Sequence, residues 1–270
     1  MGSWWGFWRT ALAFIVFSSY FLVADARGAS TTTTTTTSTS SATTTTAVDE
    51  AHEARRVLIL GDSFARTDFG HALEQRLDRH ARVAAGRRGK SASGLARPDV
   101  FDWWSEAERE VEKHAPHLVV VIMGGNDGQD LIGRELGRRR VRWGTPAWRP
   151  AYEARLRSFV ERLIRDGARV LWLELPLMDV PHLERKLRKV RDAQKHAMAT
   201  FGESVQYVPT RTYFRTRRRL IRSVFVRGFR GRQALRLEDG VHFTLPGSHY
   251  FADKIYPHVV RALGLDVAMR

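Results

Sequence analysis

The longest stretches without polar interruption set the architecture. Val57, Leu58, Ile59 and Leu60 run into Gly61, Asp62 and Ser63, after which positions 64–80 carry apolar residues at helical spacing. This predicts a strand, a tight corner and a helix. Leu118, Val119, Val120, Val121 and Ile122 form a second run with no polar alternation, the mark of a strand covered on both faces. Residues 168–175 repeat that pattern and are closed by Pro176. Positions 101–114, 151–166, 182–200 and 246–263 read as helices, 81–85 and 205–208 as short strands, and 86–94 as a polar loop. Strand alternating with helix predicts the α/β class, a three-layer α/β/α sandwich with about five parallel strands. Ligands of such sheets sit beyond the carboxyl ends of the strands. Ser63, the 86–94 loop and the glycine-containing loop 124–128 all fall there.

The first fifty residues do not belong to that pattern. Trp4, Trp5, Phe7, Trp8 and Arg9 precede an apolar run over 11–24 that ends at Ala24-Asp25-Ala26. Residues 1–26 therefore read as a secretory signal peptide or, if the leader is retained, a membrane anchor. Residues 27–54 are dominated by Thr and Ser, too polar to offset the entropy of ordering them, and read as a flexible linker. What remains, 55–270, has room for one catalytic domain. A tether between a hydrophobic leader and a folded domain predicts export to the periplasm or cell surface, with a possible membrane tether through the N-terminus. The chain has no cysteine, which excludes disulfides, thiolate metal sites and thiol catalysis.

Candidate chemistry begins at Ser63, placed at a strand end beside a helix N-terminus whose free N–H groups favour an anion. Asp239 precedes His242 by three residues, within reach if the segment turns helically. The carboxylate can then orient the imidazole, which can take the Ser63 proton and return it to a leaving group. Donors for an oxyanion are available as the Ser63 N–H, the Gly94 N–H and the side-chain amide of Asn126, the single asparagine in the chain. A Gly-x-Ser-x-Gly elbow is absent because Ala65 fills its last position, and no His-Glu-x-x-His occurs. No metal and no cofactor are expected.

Gly61-Asp62-Ser63, Gly94, Gly125-Asn126-Asp127 and Asp239-x-x-His242 together resemble, in order and approximate spacing, the four blocks of the GDSL/SGNH hydrolase superfamily. Residues 93–98 with Phe101-Asp102-Trp103, then Asn126-Asp127-Gly128-Gln129, and the segment from Arg236 through Asp239 and His242 to Thr244, resemble more narrowly a bacterial exported subgroup known as a domain of unknown function. The resemblance covers roughly residues 55–265. It implies a flavodoxin-like SGNH hydrolase fold, with Ser63 as nucleophile, His242 as base, Asp239 as its orienting carboxylate, and Ser63, Gly94 and Asn126 as the oxyanion hole. It also implies ester hydrolysis, and many exported superfamily members remove acetyl groups from polysaccharides.

Charge adds a view of the substrate. The net charge is +15, and arginine far outnumbers lysine. Residues 211–232 are dense in arginine, interleaved with Tyr213, Phe214, Phe225 and Phe229, and contain no acidic residue. They follow the last strand, and the basic segment 134–149 follows the third. Both are expected to flank the site and to bind an anionic glycan, with Arg217, Arg218 and Arg219 as candidate contacts. Trp103 is a candidate for stacking on a sugar ring. Because the chain reads as exported, nucleic acid is not an expected partner. The sequence thus points to an exported serine esterase acting on O-acyl, foremost O-acetyl, esters of envelope or extracellular polysaccharide. An O-acetyltransferase on the same site, or a non-catalytic glycan-binding protein on the same fold, are the alternatives, and oligomeric state is left open.

Overall fold

The computed structural model describes residues 53–133, 140–217 and 219–266. The leader at 1–26, the linker up to residue 52, residues 134–139 and Arg218 lie outside the described residues. Five strands, β1 (Arg55–Gly61), β2 (Val83–Gly89), β3 (Leu118–Ile122), β4 (Arg169–Leu173) and β5 (Val205–Val208), form one parallel sheet in the order β2-β1-β3-β4-β5. Every residue of β3 is buried, as its unbroken apolar run demands. Each such Val, Leu or Ile contributes about 1.5–3 kcal/mol on full burial.

Among the described residues six α-helices complete the layers: α1 (Ser63–Arg66), α2 (Asp68–Asp78), α3 (Trp103–His114), α4 (Trp148–Ile164), α5 (Pro181–Met198) and α6 (Leu245–Ala262). Helices α2 and α6 pack together as one layer, and α3, α4 and α5 as the other. The chain passes from β1 outward to β2, then crosses to β3 on the opposite side of β1. The β1/β3 boundary is thus the point where the strand order reverses, and the loops leaving the two strands diverge to leave a crevice. Ser63 follows β1, and Gly124 to Asn126 follow β3, so both fall at that crevice.

Three local features depart from the sequence-based expectation. The helix expected over 64–80 is broken at Thr67, whose backbone is extended and whose hydroxyl donates to the Ser63 carbonyl at 2.7 Å. Strand β2 runs on through Gly89, where a loop was expected, because an edge strand tolerates polar side chains. Arg87 and Arg88 there pair with Glu74 and Glu106. A short antiparallel hairpin, β6 (Ser223–Phe225) and β7 (Arg232–Ala234), lies within the arginine-rich segment. Among the described residues no helix is long and apolar enough to cross a membrane.

Candidate active site

Asp62 starts the site by capping α1, its Oδ1 accepting the Phe64 N–H at 3.1 Å. This cap turns the chain sharply at the end of β1 and leaves Ser63 as the first helical residue. Its N–H is one of those that a helix start cannot satisfy internally, and among the described residues nothing accepts it. Ser63 Oγ lies 3.0 Å from His242 Nε2, across 179 positions of sequence.

His242 is held on a two-stranded ribbon instead of a helical turn. Leu237 N–H donates to the His242 carbonyl at 2.9 Å, Thr244 N–H to the Leu235 carbonyl at 3.2 Å, and Arg236 pairs with Phe243 between them. Asp239 folds the tip itself. Its Oδ1 accepts the N–H groups of Val241 at 2.8 Å and His242 at 2.9 Å, while Oδ2 meets His242 Nδ1 at 2.7 Å. A single carboxylate therefore shapes the loop and fixes the ring. With Nδ1–H donating to Asp239, Nε2 is left to accept the Ser63 hydroxyl. Gly240 makes the tip possible: its φ is +68°, and a Cβ there would sit 2.9 Å from the Asp179 carbonyl oxygen.

The underside of the ribbon is aromatic and cationic. Phe243 packs with Phe64, Phe214 and Phe251 at ring-centroid separations of 5.7, 5.2 and 5.3 Å. The Arg236 guanidinium lies 3.9 Å from the Phe243 ring centre and donates to the carbonyls of Val241 and Leu177. Burial pulls its pKa well below the ordinary arginine value, yet it remains protonated at neutral pH. It thereby ties the tip of the ribbon to the chain leaving β4.

Two further loops are tied to the corner at Asp62 and to each other. The Asn126 side-chain amide donates one of its two hydrogens to the Ser93 carbonyl at 2.9 Å, joining the loop after β3 to the loop that carries Gly94. Asp62 Oδ2 accepts the N–H groups of Gly124 at 3.1 Å and Gly125 at 3.0 Å. Asp127 clamps from the other side: Oδ1 accepts the Ala96 N–H at 2.8 Å and Oδ2 the Tyr152 hydroxyl at 2.7 Å. Gly94 is required by this approach, since a Cβ at that position would lie 2.1 Å from Asp127 Oδ1. Among the described residues nothing accepts the Gly94 N–H. The geometry thus presents a hydroxyl hydrogen-bonded to an oriented imidazole, beside loops with N–H groups to spare.

That arrangement can be set against known proteins. The sequence pattern of the family described as a protein of unknown function, DUF459, matches residues 56–258. The chain belongs to the DUF459 family. No curated protein matches it by sequence. Among solved structures, TesA is similar over 77% of this chain and 99% of its own, at 17% identity and a TM-score of 0.51. The psychrotrophic esterase EstA from Pseudoalteromonas sp. is similar over 78% and 99%, at 13% identity and a TM-score of 0.52. A variant of Axe2, an acetyl xylan esterase from Geobacillus stearothermophilus, is similar over 81% and 98%, at 16% identity and a TM-score of 0.52. The fold of this DUF459 chain is therefore that of the SGNH hydrolases.

Three carboxylates in the DUF459 site have displaced pKa values. Partial burial acts to raise Asp239, but hydrogen bonds from the His242 ring and from the Val241 and His242 N–H groups hold it below the ordinary carboxylate value. Burial pushes Asp127 up against its bonds from Tyr152, Ala96 and Leu95. Burial raises Asp62 to about 7, against three backbone N–H bonds and with help from the neighbouring Asp127 charge. An acid whose folded value lies above its unfolded value favours the native state at low pH. The Asp62 contribution is therefore fully present below about 4 and is lost as pH rises through about 7, each tenfold difference in proton affinity being worth about 1.4 kcal/mol. A carboxyl 13C NMR titration is expected to show Asp62 inflecting near neutrality. An inflection near 4 would show that the backbone bonds outweigh burial.

The structure does not place every expected contact at the mouth of this site. Trp103 is fully buried, in a T-shaped contact with Phe101, and its indole N–H donates to Ser93 Oγ at 3.0 Å. It cannot stack on a sugar, and it supports from below the loop that carries Gly94. Arg217 and Arg219 are exposed, the Thr216 N–H donates to the Arg219 carbonyl at 2.9 Å, and Arg218 lies outside the described residues. Among the described residues no contact links Arg217 or Arg219 to Ser63, Asn126 or His242. Nor, among them, does any cluster of three His, Asp or Glu side chains exist that could hold a metal ion. Asp127, Tyr152 and Arg236 had no role assigned on sequence grounds, although Asp127 and Arg236 lie inside the motifs that carry the resemblance.

Proposed function

We propose that this protein is a serine esterase that removes O-acyl groups, foremost acetyl, from a polysaccharide outside the cytoplasm. The observation that carries the reading is the chain from Ser63 Oγ to His242 Nε2 at 3.0 Å and from His242 Nδ1 to Asp239 at 2.7 Å. Ser63 Oγ attacks the ester carbonyl carbon as its proton passes to His242 Nε2. The carbonyl oxygen becomes an oxyanion that takes hydrogen bonds from the Ser63 N–H, the Gly94 N–H and the remaining Asn126 amide hydrogen. Asp239 stabilises the imidazolium. The tetrahedral intermediate collapses, the sugar oxygen leaves with the proton from Nε2, and an acyl-serine remains. Water, deprotonated by His242, then releases the acid.

Support for a carbohydrate ester comes from the likeness to Axe2, an acetyl xylan esterase, and support for export from the apolar leader and the Thr/Ser tether. The test is hydrolysis of p-nitrophenyl acetate by the protein, with release of acetate from O-acetylated polysaccharides followed in parallel. Turnover with covalent labelling of Ser63 by an alkyl fluorophosphonate is expected. No turnover and no labelling would overturn the reading, and an acetylated second sugar in place of free acetate would make the protein a transferase.

A further inference from the structure

The stretch between Glu203 and Glu238 contains ten arginines and no acidic residue, and the fold leaves most of these arginines exposed on an arm that includes the β6–β7 hairpin, while Val226 and Leu235 anchor it in the core. Elsewhere arginines commonly meet a carboxylate, as Arg76 does Asp253, Arg87 does Glu74, Arg97 does Asp99 and Arg149 does Glu153. Coding bias toward arginine would not by itself remove the acids from one segment. Among the described residues Arg215, Arg217, Arg219, Arg230 and Arg232 have no such partner, and all are exposed. At the centre of the arm the β6–β7 hairpin pairs Phe225 directly across from Arg232. Phe225 is 72% exposed, and the Arg232 guanidinium lies 5.6 Å from its ring centre, tied back by a 2.5 Å bond to the Ser223 carbonyl.

This arm is joined to the ribbon that carries His242. Thr244 Oγ1 donates to the Ala234 carbonyl at the end of β7, and Leu235 N–H to the Arg222 carbonyl just before β6. Two residues beyond Leu235, Leu237 bonds the His242 backbone. A chain lying along the hairpin therefore runs beside the residues that present the imidazole.

We infer that the β6–β7 hairpin is a docking arm for a carboxylate-bearing polysaccharide, with Phe225 receiving the apolar face of a sugar ring and Arg230 and Arg232 receiving uronate carboxylates. The inference rests on the esterase reading for its biological sense, and it deepens that reading by naming the substrate as acidic. An exposed aromatic ring offers a rigid apolar surface at little entropic cost. The planar guanidinium matches a carboxylate in two bonds. Arg230 and Arg232 have no carboxylate to give up on meeting an anion, whereas the paired arginines would first have to release theirs, and the bonds of Arg232 to Ser223 hold its guanidinium in place beside Phe225.

The test uses the full chain carrying Ser63→Ala, so that binding is read without turnover, and polygalacturonate that carries no ester. The Ser63→Ala protein is expected to bind polygalacturonate and to ignore neutral dextran. F225A combined with R230E and R232E is expected to weaken binding at least tenfold. In the Ser63 background the same three changes are expected to leave p-nitrophenyl acetate hydrolysis unchanged. A control with R185E and R188E on α5, where both side chains are exposed, is expected to bind like the parent. Equal losses in the control would reduce the effect to net charge and overturn the assignment. So would equal affinity for a phosphate-bearing polymer, for DNA or for anionic lipid vesicles, or an unchanged affinity in the hairpin variant. Binding that persists in a protein without esterase activity would retain the arm and reject the hydrolase, so the two readings fail separately.

Discussion

Ser63→Ala is expected to lower kcat on p-nitrophenyl acetate by about 10⁵- to 10⁶-fold, and His242→Ala to do nearly the same. The reason is the single 3.0 Å bond between them. Without the imidazole the hydroxyl keeps its proton at neutral pH, and without the hydroxyl the imidazole has nothing to activate. The double variant is accordingly expected to be no worse than either single one, since groups acting as one unit are not additive. Circular dichroism and the urea midpoint are expected to stay close to the parent, because Ser63 is partly exposed and its backbone is held by the Asp62 cap and by Thr67. Losses that multiply in the double variant would mean that the two residues act in separate steps and would reject the proposed mechanism.

The second large effect is expected at Asp239. Asp239→Asn keeps an oxygen that can accept the Val241 and His242 N–H groups, so the tip of the ribbon is expected to hold its shape. The position of Oδ2 is then occupied by an amide that donates toward His242 Nδ1. The ring must switch tautomer to accept that bond, and its Nε2–H then points at the Ser63 hydroxyl as a donor. A base in the wrong tautomer costs about 10⁴-fold in kcat, about 5.5 kcal/mol of activation free energy. KM is expected to change little. Asp239→Ala should be worse in a second way, because it also removes the acceptor that folds the tip, and a lower urea midpoint would reveal this. A kcat for Asp239→Asn within tenfold of the parent would show that the carboxylate shapes the loop and does not set the ring.

How much of this could be read from the sequence depended on whether each partner was local. The central strands were legible because burial on both faces leaves an unbroken apolar run, as in Leu118–Ile122. Strand β2 was read too short because Arg87 and Arg88 look like loop residues until Glu74 and Glu106 are seen beside them. The break at Thr67 was invisible because an ST-type bond to the Ser63 carbonyl competes with helix continuation only once the corner has formed. Ser63, Asp239 and His242 could be proposed together because their order and spacing resembled known blocks. The ribbon that unites them could not, since Asp239-x-x-His242 fits a helical turn equally well on paper. Trp103 was misplaced for a related reason: an indole beside a helix start has no visible partner in sequence, and its N–H finds Ser93 only in the fold. The clamp of Asp127 by Tyr152 joins residues 25 positions apart, on different elements, and no local pattern announces it.

The hydroxyl and the imidazole are separated by 179 residues, and helix α6, which braces the ribbon through Phe251 and Phe243, is made later still. A ribosome releasing this chain therefore exposes Ser63 long before anything can ionise it. Until that late segment has folded back against the first helix layer, Ser63 has no base beside it, so on the proposed mechanism the nascent polypeptide carries only an ordinary alcohol.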